Sequence, residues 1–243
     1  MTTPSIHAYP QWQLLGTTIG GMSILTVLTI TQFFIIGTWF AMHHKVPTPN
    51  DFANISNGNL FAIMIIITST LCSTFTIAII KLKRGSNIKH YLALHQPSQA
   101  NILQWLGILA VVLLVSELFV YFSKNNAALQ FILPIYQTAQ PLWLLWVAVV
   151  IAAPLFEELF FRGFLFTGIA SSALGKTSAV ILTSAIWTAI HLQYDAFNML
   201  VIFSIGIILG LARLRTNSIS TPLIMHMVNN ALSMLQVHFY LSF

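Results

Sequence analysis

Glu157 and Glu158 stand side by side in the run Pro154-Leu-Phe-Glu-Glu-Leu-Phe-Phe-Arg-Gly-Phe-Leu-Phe, with Arg162 following Glu158 at i+4. His191, and the pair His226 and Asn230, lie in or at the ends of later apolar stretches. A carboxylate can take a proton from water, and imidazole and carboxamide N–H groups can receive charge developing on a carbonyl oxygen, so the set holds the parts for hydrolysis by activated water. No serine paired with a histidine and an acid stands out, which disfavours acyl-enzyme chemistry. The chain has only five acidic residues, and a charge near a bilayer centre costs several kcal/mol. Two adjacent glutamates in an apolar run are therefore read as a functional site.

The elements that must hold these residues are membrane helices. Hydrophobic residues make up 57% of the 243, charged residues 6%, and the mean hydropathy is +0.83, against roughly 25% charged for a soluble domain. Apolar runs long enough to cross a bilayer fall at roughly 14–42, 60–80, 102–122, 141–170, 177–192, 197–212 and 219–241. The expected fold is all-α, a polytopic transmembrane bundle of about seven spans in one membrane domain. The stretch 127–137, broken by Pro134, is too short to cross and reads as interfacial or re-entrant. The N-terminus has no Lys or Arg before the first apolar run, so it lacks the basic region of a signal peptide and the first segment is expected to remain as a span. Gly16/Gly20 and Gly206/Gly210 each form a Gly-x-x-x-Gly pair, read as close helix packing rather than a dimer face. Cys72, the single cysteine, excludes an intrachain disulfide.

The basic residues explain the net charge of +5 without nucleic acid. Seven of them, Lys81, Lys83, Arg84, Lys89, Lys176, Arg213 and Arg215, fall in the loops 81–101, 171–176 and 213–218, which seven spans place on one side. Lys45 and Lys124 share the other side with Asp51 and Asp195. This bias predicts a cytoplasmic N-terminus and an external C-terminus. The expected location is the inner membrane of a prokaryote.

Helix spacing then relates the polar residues. Glu157 and His191 each lie about 15 residues from the 171–176 turn, roughly 22 Å along their helices, so they are level across a hairpin. Glu158 and Arg162 at i, i+4 favour an ion pair along one face, and Glu157 lies about 100° away, so the two carboxylates serve different roles. His226 and Asn230 share a face at i, i+4 but lie up to about 10 Å shallower, so convergence requires tilt or a more deeply seated turn. Pro222 falls in the first turn of its helix, where proline is tolerated. Glu117, in the third span, reads as a helix-packing hydrogen bond or a partner for Arg162.

Glu157-Glu158-x-x-x-Arg162, Trp187-Thr-Ala-Ile-His191 and His226-x-x-x-Asn230 resemble, in order, the three motifs of the CPBP (CAAX protease and bacteriocin-processing, or Abi) family of intramembrane proteases. The resemblance covers about 141–232. It implies a catalytic core in 141–243, with 1–140 supplying N-terminal helices of the same membrane domain. It also implies that Glu157 activates the hydrolytic water with help from His191, that His226 and Asn230 form the oxyanion hole, and that Glu158 and Arg162 are a structural and electrostatic pair. Trp187 stands where phenylalanine is commoner, a mild change at a packing position. Asn217 replaces a turn glycine and can adopt the left-handed conformation. The expected partners are the lipid bilayer and a peptide or membrane-protein substrate, with no nucleic acid, and nothing in the sequence sets an oligomeric state. The expected reaction needs no cofactor; the alternative is Zn²⁺ held by Glu157, His191 and His226, although the His-Glu-x-x-His signature is absent. A non-catalytic scaffold or immunity protein, and a proton-coupled transporter, are the competing functions.

Overall fold

The structure, a computed structural model, describes residues 9–48 and 55–242. Asp51 and the segment 1–8 lie outside them. Nine helical elements account for the described chain: α1 (Leu14–Met42), α2 (Gly58–Leu82), the short α3 (Ile88–Tyr91), α4 (Gln99–Ser123), α5 (Ala127–Thr138), the composite α6 (Leu142–Ala170), α7 (Gly175–Ala189), α8 (Ala196–Thr216) and α9 (Ser220–Ser242). Three of the long helices start at side-chain caps: Asn57, Ser98 and Asp195 accept from the backbone N–H three residues on, at 3.0, 3.2 and 2.8 Å. Asn217 ends α8 at φ 45°, ψ 35°, the left-handed conformation expected of it. Hydroxyls inside the spans turn back onto their own helices, as Thr68 does to Met64 O and Thr76 to Cys72 O, so they expose no unpaired polar group to lipid.

Five of these helices, α1, α2, α4, α6 and α8, are long and apolar enough to cross a membrane, and the chain is an integral membrane protein. The count of about seven is not confirmed. The 15 residues of α7 extend only about 22 Å, short of a hydrocarbon core of roughly 30 Å. At 23 residues α9 is long enough, but His226, Asn229, Asn230, Gln236 and His238 dilute its hydropathy. Of the site's polar residues, Glu157, Glu158 and Arg162 lie on α6, which passes the test, and His226 and Asn230 on α9, which does not.

On the periphery, α1 and α4 expose more than half of Leu15, Phe34, Leu103 and Val111, a surface suited to lipid rather than water. The centre is α6, whose Phe156, Phe160, Phe161, Phe164 and Phe166 are almost fully buried. Gly206 and Gly210 let α8 approach α7: a Cβ at either would come within 3.0 Å of Ser184 or Val180. This is the packing role expected of the pair. The amphipathic α5 contains Pro134 and packs on α2 and α9.

The basic loops do gather at one end. Trp12 Nε1 donates to Ile79 O at 2.9 Å, Thr167 to Tyr91 O at 2.8 Å, and Ile219 N to Ala93 O at 3.1 Å. At the opposite end Gly58 N donates to Thr138 at 2.8 Å and Asn125 to Asp195 at 2.8 Å.

Candidate active site

The helix that carries Glu157 is not a regular α-helix. Within α6 the backbone alternates: α over Leu142–Trp146, π over Val147–Ala152, α over Ala153–Glu157, π over Glu158–Leu165, and α again over Phe166–Ala170. Bulges of this kind concentrate at functional sites, and Glu157 stands at the second α-to-π junction. Pro154 explains part of the irregularity. In the first π segment the N–H of Ala153 bonds Ala148 O, five residues back. The next donor in that register belongs to residue 154, and proline has none, so Val149 O is left without a helical partner. Asn230 Nδ2 donates to it at 2.8 Å. Asn230 Oδ1 accepts from Asn229 at 3.1 Å, which leaves Asn230 one N–H for another acceptor.

The two glutamates separate by environment, as their positions around the helix predict. Glu158 is 1% exposed; its Oε1 accepts from Arg162 at 3.1 Å and from His226 Nδ1 at 2.9 Å. Arg162, fully buried, also donates to Gly206 O at 3.3 Å and lies 4.7 Å over the Trp187 ring. Glu157 is 15% exposed, and its Oε2 lies 3.8 Å from His226 Nε2 and accepts from the indole N–H of Trp187. Its Oε1 makes no hydrogen bond among the described residues. Glu157 is thus the carboxylate that reaches open space.

His226 lies between both glutamates, so α9 reaches the level of Glu157 after all. The turn before α9 is deeply seated: Ser218, Ile219 and Thr221 are buried, and Ser218 donates to His95 O. His191 is not in a helix. α7 ends at Ala189, and His191 follows in the connection, its backbone N–H on Thr188 O and its Nδ1 2.8 Å from Trp187 O. A carbonyl can only accept, so Nδ1 carries the proton and, in the neutral ring, Nε2 is free as an acceptor. No direct hydrogen bond joins His191 to Glu157; the Trp187 ring stands between them, 5.2 Å from His191 and 5.2 Å from His226.

Two residues were not legible as site members. Trp187 is no mere packing residue, because its one polar atom holds Glu157. Tyr194 stacks at 6.4 Å on His191 and packs edge-on against Phe131 of α5. Burial, reinforced by the charge of Glu157 and offset by a hydrogen bond from the Gln193 side chain, pushes the Tyr194 phenol up to about 12. Only the proximity of Tyr194 to His191 in sequence signalled it. Glu117 turns out to be exposed and accepts from Gln236 of α9 at 3.2 Å; it is the packing partner foreseen and not a partner of Arg162. Among the described residues no group of three or more His, Cys, Asp or Glu side chains is arranged to hold a metal ion.

The described residues thus place a partly exposed glutamate among imidazoles, beside a buried ion pair, in an all-helical membrane protein. Residues 139–232 match the family model described as Rce1-like, type II CAAX prenyl endopeptidase; this match over the C-terminal part of the chain supports the CPBP/CAAX protease family and implies a protease. No curated protein and no solved structure matches the chain.

Proposed function

We propose that the protein is an intramembrane endopeptidase in which Glu157 activates water without a metal. The observation that carries this reading is the division of labour between adjacent carboxylates: Glu158 is fully buried, with Oε1 shared by Arg162 and His226 and Oε2 enclosed by protein, while Glu157 is held by one oxygen and presents the other to the open side. Glu157 Oε1 takes a proton from water as the water oxygen adds to the scissile carbonyl carbon. His191 Nε2 accepts the water's second hydrogen bond and orients it. The oxyanion is received by the free N–H of Asn230 and by His226. Because His226 gives its Nδ1–H to Glu158, its Nε2 donates only when the ring carries both protons. Glu157 then returns its proton to the leaving nitrogen as the C–N bond breaks.

The core is residues 141–243, with 1–140 as supporting helices. The substrate is the C-terminal region of a membrane-associated protein or peptide, as the family's description as CAAX prenyl endopeptidases suggests. The basic end of the bundle faces the cytoplasm of a prokaryotic cell, with the N-terminus inside. The test is hydrolysis of a quenched peptide panel, with and without a prenylated cysteine, by purified wild type and Glu157→Gln in detergent. The variant keeps an acceptor for Trp187 and should melt like wild type while losing about 10²-fold or more in turnover. Turnover above about a tenth of wild type would remove Glu157 from the role of base.

A further inference from the structure

We propose that Trp187 is a positioning residue that aims both groups handling the water, a function that a phenylalanine side chain would not supply; the inference rests on the reading of Glu157 as the base. Trp187 is 3% exposed and sits at the centre of the polar cluster. Its ring packs beneath the Arg162 guanidinium at 4.7 Å and against both histidines at 5.2 Å. A buried indole N–H needs an acceptor, and this one gives its single proton to Glu157 Oε2.

The consequence concerns which oxygen does chemistry. Glu157 lies between two potential electrostatic partners, His226 Nε2 at 3.8 Å and the Arg162 charge already paired with Glu158. A free carboxylate in that position could turn toward either group and withdraw from the open side. The indole N–H fixes Oε2 on the protein side and leaves Oε1 outward. The backbone carbonyl of the same residue takes the Nδ1 proton of His191 at 2.8 Å, which turns Nε2 away from the helix. One residue therefore sets the oxygen of the base through its side chain and the tautomer of the neighbouring imidazole through its backbone. A phenylalanine would keep the second contact and lose the first.

Replacement of Trp187 by 3-benzothienylalanine keeps the ring's shape and face and changes N–H to sulfur. The variant should melt like wild type with unchanged KM and lose about tenfold to a hundredfold in kcat, the range for a hydrogen bond to a charged group. Trp187→Phe should lose at least as much. A benzothienyl variant with kcat within about twofold of wild type would overturn the proposal. A second measurement is independent of turnover. The chain has 6 tryptophans, so ¹⁵N-tryptophan labelling gives a small set of indole N–H resonances in detergent, and that of Trp187 is assigned by its absence in Trp187→Phe. It should move upfield in Glu157→Leu, which removes the acceptor. An unmoved resonance overturns the contact even in a protein that cleaves no peptide, whereas a moved resonance with inert wild type supports the contact and leaves only the protease reading at fault.

Discussion

Arg162→Ala tests the buried half of the site. The guanidinium is fully buried, donates to Glu158 Oε1 at 3.1 Å and to Gly206 O at 3.3 Å, and covers the Trp187 ring at 4.7 Å. Removing one partner of a buried ion pair costs about 3 to 5 kcal/mol, because the other charge is stranded. The stacking on Trp187 is worth about 2 kcal/mol when desolvated, but it shares atoms with the pair and does not add to it in full. His226, 2.9 Å from the same Glu158 oxygen, can answer part of the stranded charge, which favours the lower end, about 3 kcal/mol. At about 2–4 °C per kcal/mol for a chain of this size, the detergent melt should fall by roughly 6–12 °C. Activity should fall with it, since Trp187 loses the cover that holds it over Glu157. Glu158→Gln should be milder, as the amide oxygen still accepts from both neighbours, and in the double variant it should recover part of the loss. An Arg162→Ala protein that melts with wild type would refute the support role and point to direct contact of the arginine with substrate.

Asn230→Ala should lower kcat by about 10² to 10³ with little change in KM, as expected of a transition-state donor; a purely structural role in bonding Val149 O would instead lower the melting temperature and leave the kcat of the folded fraction intact. Activity should resist EDTA and phenanthroline, and stoichiometric metal should not co-purify; loss of activity restored by added Zn²⁺ would overturn the metal-free mechanism and leave the protease assignment standing. Reporter fusions at the C-terminus should be active only outside the cytoplasm, and a fusion active only inside would refute the orientation drawn from the basic loops.

What could be read from the sequence was whatever a regular helix preserves. The spacing of Glu158 and Arg162 gives their contact, the angular offset of Glu157 gives its separate environment, and the loop charges share one end because the helices between them cross the bundle. The misses come where the backbone leaves the α period. Counting 1.5 Å per residue set His226 too shallow because it could not know that Ser218 and Ile219 are buried under the segment from Tyr91 to His95. It put His191 inside a helix that ends at Ala189. It could not find the π segments on either side of Pro154-Leu-Phe-Glu157, since hydrophobic periodicity over so few residues does not separate α from π. α7 and α9 miss the span test for different reasons: α7 is short at 15 residues, and the polar side chains of α9 dilute its hydropathy.

The irregular backbone and the polar residues explain each other. Pro154 removes the donor that Val149 O would use in the π register, and an unpaired carbonyl in a lipid-excluded core costs free energy comparable to a lost hydrogen bond. Asn230 supplies the replacement at 2.8 Å, which ties the last helix to α6 near Glu157. One turn nearer the basic end, His226 makes the second tie, to Glu158. Two hydrogen bonds from one face of α9 thus register it against α6, one on backbone freed by a proline and one on the carboxylate of Glu158, adjoining Glu157. The i, i+4 spacing of His226 and Asn230 therefore has a structural use that does not depend on substrate, and the same two side chains keep N–H groups for an oxyanion: one on the Asn230 amide and, in the doubly protonated ring, one on His226. In the proposed mechanism positioning and catalysis would be carried by different hydrogens of the same residues, so substitutions that spare the carbonyl and carboxylate contacts, and not alanine alone, are needed to separate them.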